Sequence, residues 1–484
     1  MFVGTGSDVG KSVINAGFCR LFLQDGYCPA PFKAQNMSLN SYATPEGLEI
    51  GRAQAMQAEA CGIACSTAMN PVLLKPNCDQ SSQVVLNGKP IGNLTAREFF
   101  MEGDRAMLFS EALKSYQKLS EKFNPIIIEG AGSISELNLR QKDIVNMRIA
   151  VATDADTYLI ADIDKGGVFA SVYGSIELLP ENERKQIKGI IINKFRGDIS
   201  LFAEGRTILK KLTKVPVVGI IPYFRDIYID DEDSVVLDKK TGGNVHDKIN
   251  IVVVHLNHMS NFTDFNLLEQ IPEINLFYSD KSSDILNADI VIIPGSKNTI
   301  ADLQILKEKG LDLAIKQAHK NNKSVLGVCG GFQMMGREIT DPFGVESKVV
   351  KISGLNILPV STALTREKTT EQCNFTFLEN SEICQGYEIH MGETHGKIKS
   401  PLCHISAQKD DGYFLNNKTW GTYLHGIFDN FSVINDIIKN AGGKELNPFD
   451  LKDFKEKQYD KLADLIRKHV DMNYIYRNLN KTNS

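Results

Sequence analysis

The sequence predicts two α/β domains in tandem, each built on a mostly parallel sheet, followed by a C-terminal helical tail. Three observations predict it. Short β-rich apolar runs alternate with amphipathic stretches through the first half of the chain, as strands and helices of a parallel sheet do. The alternation restarts beyond an acidic, then Lys- and Gly-bearing segment at 226–248. Each run ends in polar or Gly-rich residues, where such sheets carry their ligand loops. The 484 residues suit two large domains or three smaller ones at roughly 150 residues each. Hydrophobic (42%) and charged (23%) fractions are those of a folded globular chain.

The first domain, 1–245, carries the runs Pro125 to Ile128, Thr157 to Ala161, Gly189 to Ile192 and Val215 to Ile221. The second, 250–440, carries IVVVHL, ADIVIIPG and KSVLGVCGG. The tail, 441–484, places Leu462, Leu465, Ile466 and His469 on one helical face. A net charge of -5 leaves no basic excess for nucleic acid or an anionic membrane. No apolar run approaches the roughly 18 residues that cross a bilayer, and the first residues do not have the pattern of a signal peptide. The nine cysteines form no CxxC pair, as expected of reduced thiols in a cytoplasmic protein. Neither Cys61 with Cys65 nor His255 with His258 has a partner pair at zinc-site spacing.

Gly4-Thr5-Gly6-Ser7-Asp8-Val9-Gly10-Lys11-Ser12 precedes a helical stretch and reads as a phosphate loop. Backbone N–H groups of Thr5, Gly6 and Gly10 turn onto phosphate oxygens, Lys11 reaches the terminal phosphates of ATP, and the Ser12 hydroxyl binds Mg²⁺. The usual spacing puts glycine five residues before Gly10; here Thr5 stands there and the glycine is Gly4. The strand ahead of the loop, Met1 to Val3, is short enough that residues before it would be expected to belong to it. Glu129 ends the run PIII and is the expected second Mg²⁺ ligand. Asp162 and Asp164, at the next strand end, are weaker metal candidates, and Asn193 is placed to read an adenine edge with its amide.

In the second domain Gly327, Cys329 and Gly331 form a G-x-C-x-G turn between strand and helix, the thiol version of a nucleophile elbow. His425, in TYLHGIFD, follows a short apolar strand and is the expected proton acceptor for the thiol. Gly295 and Ser296, after the strand ADIVIIPG, are candidates to present backbone N–H groups to an oxyanion.

These segments, together with FKAQNMSLNS, GRAQAMQAEACG, ADIDKGGVFAS, NKFRGD, HMSNFTDFN and YEIHMGET, closely resemble the cobyric acid synthase family of cobalamin-biosynthesis amidotransferases. The likeness runs from residue 4 to about 430. It implies a P-loop NTPase domain of the dethiobiotin-synthetase-like branch, then a class I glutamine amidotransferase domain with a flavodoxin-like sheet. It further implies a glutamine-hydrolysing ligase that uses ATP, Mg²⁺ and L-glutamine on a small corrinoid. The b, d, e and g carboxylates of adenosylcobyrinic acid a,c-diamide would be amidated through acyl phosphates. Gln35, Asn36 and Ser38, with Arg52 and Gln54, are the candidate substrate residues. The related a,c-diamide synthases and P-loop regulatory ATPases are the alternatives. Ile427 occupies the place where class I amidotransferases carry the Glu that orients the histidine, and Asn266 stands where the family often has Asp. The group that orients His425 is therefore left open.

Overall fold

The computed structural model describes residues 1–78, 81–95, 105–230, 242–347, 349–407 and 409–479. Of the segment expected to divide the domains, 231–241 lies outside them. The N-terminal sheet is parallel throughout: Phe2–Gly4, Thr157–Asp162, Ile187–Phe195 and Val217–Pro222 lie side by side in that order. A bridge from Phe2 to Glu129 adds a further parallel pair, Ile126–Ile128 with Ala30–Phe32. Continuous β-branched runs suit strands covered on both faces, and Ile190, Ile191 and Ile192 are fully buried. The strands Gln35–Met37, Val72–Cys78, Ser81–Leu86 and Lys89–Thr95 form a separate, mixed sheet beside it.

The second sheet runs Ile274–Ser279, Ile249–Val254, Ile290–Ile293, Ser324–Val328, Thr419–Thr422, all parallel, and closes with antiparallel Tyr413–Asn416. A long antiparallel ribbon, Val360–Phe377 with Ile383–Gly396, leaves this layer and reaches toward the first domain. There Gln372 donates to the Ala43 carbonyl (2.8 Å) and Tyr387 packs edge-on against Tyr42, ring centroids 4.6 Å apart.

The tail holds the helices Leu451–His469 and Met472–Leu479. Its buried stripe is Tyr459, Leu462, Ala463 and Ile466, whereas Leu465 and His469 are only half-buried, so the face is rotated from the one expected. The reason is the partner. The helix returns to the first domain and packs on Lys11–Gln24, where a Cβ on Gly17 would lie 2.3 Å from Ile466 Cδ1. Val470 then bridges to Gly219 on the edge strand of the N-terminal sheet. Among the described residues no helix is long and apolar enough to cross a membrane.

Candidate active sites

The phosphate loop turns between Phe2–Gly4 and the helix Lys11–Gln24. Gly10 has φ +94°, a left-handed conformation that favours glycine, and a Cβ there would lie 2.3 Å from Asn193 Nδ2. Gly4 is equally constrained: its Cβ would meet the Gly6 carbonyl at 2.9 Å and Lys11 Nζ at 3.0 Å. Close approach therefore demands glycine at position 4 of this loop. Lys11 folds over the loop and donates to the carbonyls of Gly6 (2.9 Å) and Gly132 (3.0 Å). Thr5 N–H is committed to the Ile160 carbonyl (3.0 Å) and so fixes the loop to the sheet.

Glu129 is wholly buried at the strand end and gathers three donors: Ser12 Oγ at 2.8 Å, Lys33 Nζ at 2.7 Å and Gln57 Nε2 at 2.6 Å. Ser12 and Glu129 are thus in contact, two hard oxygen donors at the mouth of a phosphate loop, a donor set that fits Mg²⁺. Asp162 and Asp164 are not part of it. Asp162 pairs with Lys194 (2.9 Å) and Asp164 holds Arg196 through both oxygens (2.6 and 3.0 Å).

Asn193 stands against the phosphate loop. Its amide nitrogen donates to the Val9 carbonyl (2.8 Å) from a buried position against Gly10. That donor braces the phosphate loop.

Lys11, Ser12, Lys33 and Glu129 line a cleft of about 660 Å³ shared with Gln35, Asn36, Arg105, Lys142 and Lys165. Gln35 accepts from Arg105 (3.0 Å), and Asn36 donates to Gln54 (3.0 Å). Ser38 does not line it; its hydroxyl accepts from Asn40 N–H within the adjoining loop. Arg52 also lies apart, paired with Asp230 (3.1 Å) over the Tyr42 ring.

In the second domain Cys329 ends the strand Ser324–Val328 and caps the helix Gly330–Met335 with φ 49°, ψ −108°, a strained elbow for a non-glycine residue. Its neighbours permit the turn. A Cβ on Gly331 would lie 1.9 Å from the Ile293 carbonyl, and one on Gly327 would lie 2.6 Å from Met335 Sδ. Cys329 N–H donates to the Thr422 carbonyl (2.8 Å), which ties the elbow to the strand leading to His425.

His425 is buried and its Nδ1 bonds Asp264 Oδ2 at 2.7 Å, while the Cys329 thiol donates to the Ile389 carbonyl (3.6 Å). Asp264 also accepts from Gly426 N–H (3.1 Å). Burial opposes charge on the ring, but the Asp264 carboxylate and the Cys329 sulfur outweigh it and push His425 up to about 10. Tyr387 stacks on the imidazole with centroids 5.4 Å apart. The Gly295–Ser296 segment passes beside the elbow: a Cβ on Gly295 would lie 3.4 Å from His425 Cε1, and one on Gly330 would lie 2.8 Å from Ser296 N.

Two family models match the chain in this order: the CobQ/CobB/MinD/ParA nucleotide binding domain over residues 1–235 and the CobB/CobQ-like glutamine amidotransferase domain over 250–433. The cobyric acid synthase of Parabacteroides distasonis is 56% identical over 99% of this chain and 98% of its own length. That of Bacteroides fragilis is 55% identical over 99% and 97%, and that of a Thermoanaerobacter species 45% over 98% and 97%. The chain belongs to the cobyric acid synthase family. It is accordingly a glutamine-hydrolysing ligase whose two domains serve nucleotide and glutamine.

Motif reading passed over several side chains that stand in these two centres of a cobyric acid synthase family member. Lys33 lies in FKAQNMS, and Gln57 lies on the helix Arg52–Ala60. Asp264 sits within HMSNFTDFN, two residues before the Asn266 where the family pattern had suggested a carboxylate. Its signal was an acidic residue between Phe262 and Phe265, both buried, in a short turn. Asn266 instead donates to Asp230 (3.0 Å).

Proposed function

We propose that the chain carries out ATP- and glutamine-dependent amidation of the b, d, e and g carboxylates of adenosylcobyrinic acid a,c-diamide, giving adenosylcobyric acid. The observation that carries this reading is the pairing, on one chain, of a phosphate cleft lined by cations with a Cys329–His425–Asp264 constellation.

At the second centre the Cys329 thiolate attacks the glutamine side-chain carbonyl, and His425 gives its proton to the departing nitrogen. Ammonia leaves and a thioester remains. Water then hydrolyses it, with His425 taking the proton, to yield glutamate and the free thiol. Asp264 holds the ring in one orientation and stabilises its charged form. The Gly295–Ser296 strap, which runs beside His425 and the elbow, supplies the candidate backbone N–H groups for the tetrahedral oxyanion.

At the first centre a corrinoid carboxylate oxygen attacks the γ-phosphorus of ATP, and ADP leaves. Ammonia adds to the acyl phosphate and inorganic phosphate departs, leaving the amide. Lys11 exchanges its carbonyl partners for phosphate oxygens, and Lys33 adds a second positive charge beside them. Ser12 and Glu129 would hold Mg²⁺, which neutralises charge on the polyphosphate. Gln35 and Asn36, with the cations of the cleft, are suited to a substrate rich in carboxylates and amides. Water exclusion matters here because ammonia released locally stays unprotonated and nucleophilic.

Incubation with ATP, glutamine and either cobyrinic acid or its adenosylated a,c-diamide tests the reading. Mass increments for amidation are expected with the diamide. Amidation of cobyrinic acid in its place would assign the chain to a,c-diamide synthesis.

A further inference from the structure

The turn that carries Asp264 is held from the other domain. Phe262 N–H donates to Asn40 Oδ1 of the first domain (3.1 Å), and Ser41 N–H donates back to Asn261 Oδ1 (3.0 Å). Both asparagines are buried, at 2% and 3% exposure, so neither bond has water to replace it. Asn261 adopts φ 52° and opens the turn Phe262–Phe265, with Asp264 N–H donating to its carbonyl (3.0 Å). Its amide also reaches the hydroxyl of Tyr387 (3.4 Å), the ring stacked on His425. On the opposite side the Asn40 carbonyl accepts from Arg52 N–H (3.1 Å), at the start of the helix whose Gln57 grips Glu129 at the phosphate loop.

We propose that Asn40 and Asn261 are positioning residues for glutamine hydrolysis: the synthetase domain, through this reciprocal pair, sets the turn that aims Asp264 at His425. The glutaminase centre is then complete only while the two domains are docked, which ties release of ammonia to the presence of the surface that consumes it. Neither asparagine lines the cleft assigned to ATP and substrate, and the bonds of Asn40 to Ser38 and Arg52 run through its backbone, which a side-chain substitution leaves in place. The inference rests on the assignment of Cys329, His425 and Asp264 as the glutaminase centre.

The test uses the full chain and compares amidation of the corrinoid with glutamine and with ammonium salt. Asn40→Ala should lower kcat with glutamine by about ten-fold, the equivalent of one lost buried hydrogen bond. KM for glutamine and the rate with ammonium should stay within about two-fold. Asn261→Gly, which keeps the left-handed backbone but removes the acceptor, should do the same. Asn40→Asp keeps an acceptor for Phe262 N–H and should restore most of the glutamine rate. Equal losses with both nitrogen sources, or no rescue by Asp, would reduce the pair to a structural contact and overturn the proposal. Cys329→Ser, run alongside, separates the two levels. If it fails to split the nitrogen sources, the site assignment falls and this proposal with it; if it splits them and Asn40→Ala does not, the positioning role alone is wrong.

Discussion

At the phosphate loop, buried charged side chains neutralise one another at the wall of a cleft: Lys33 sits against Glu129, and Lys11 rests on backbone carbonyls of its own loop and of Gly132. Around Cys329 the side chains are equally buried, but the partners proposed for them are already in place. His425 has 1% of its surface exposed and Asp264 3%. The difference follows from what each centre must bind. A polyphosphate brings several negative charges, so cations can wait on replaceable partners, and the ligand's own charge assembles the site. Glutamine's side-chain amide is neutral, so the charge needed to cleave it must be supplied and held by the protein.

Substitutions at the two centres should therefore fail in different ways. Cys329→Ser removes the proposed nucleophile; glutamine-dependent amidation is expected to drop by about 10⁴-fold or more while the ammonium-dependent rate survives. Equal losses with both donors would erase the contrast between the centres. Lys11→Ala should act the other way, lowering amidation by about 10³-fold with either nitrogen source but sparing at least part of the glutaminase activity. Steady-state rates with the two donors, and glutamate release measured without corrinoid, check both outcomes.

Asp264→Asn is expected to cost about 10²-fold in glutamine hydrolysis, less than loss of the thiol, because the orienting carboxylate is the lesser member of such a unit. It also sharpens the electrostatic half of the comparison. His425 is raised to about 10, so its charged form persists across neutral pH and is lost as pH rises through that value. Without the Asp264 charge the ring should titrate lower, and the basic limb of the glutaminase pH profile should move down. An unmoved limb would mean that Asp264 is only a packing partner.

The smallest expected catalytic effect is at the tail. Ile466, fully buried against the helix that follows the phosphate loop, should cost about 2–5 kcal/mol when cut to Ala. Thermal unfolding would register this as a lower Tm, with the ratio of glutamine to ammonium activity unchanged at permissive temperature. A changed ratio would show that the tail bears on one centre more than on the other.

Much of both centres was legible as local pattern. Gly10-Lys11-Ser12 ahead of a helix, and glycines on both sides of Cys329, are signals because backbone geometry at those points admits few residues. The long ribbon, Val360–Phe377 with Ile383–Gly396, went unread since its Thr- and Glu-rich strands lack the continuous apolar runs of the central sheets. Ala30–Phe32 is too short to show a period. Asn193 was legible as a strand-end amide, but its partner Val9, 184 residues away in sequence, was not.

What the sequence by itself determined is therefore the candidate for each role: the loop proposed for phosphate, the thiol proposed to attack and the histidine proposed to serve it. These depend on a few consecutive residues and the dihedral angles they allow. What only the tertiary structure decided is who supports them. Asp264 reaches His425 across 161 positions, Lys33 reaches Glu129 across 96, and Asn40 reaches Phe262 across 222. Such partners are chosen by packing of separate elements, which fixes distance and burial in space and leaves no periodic trace along the chain.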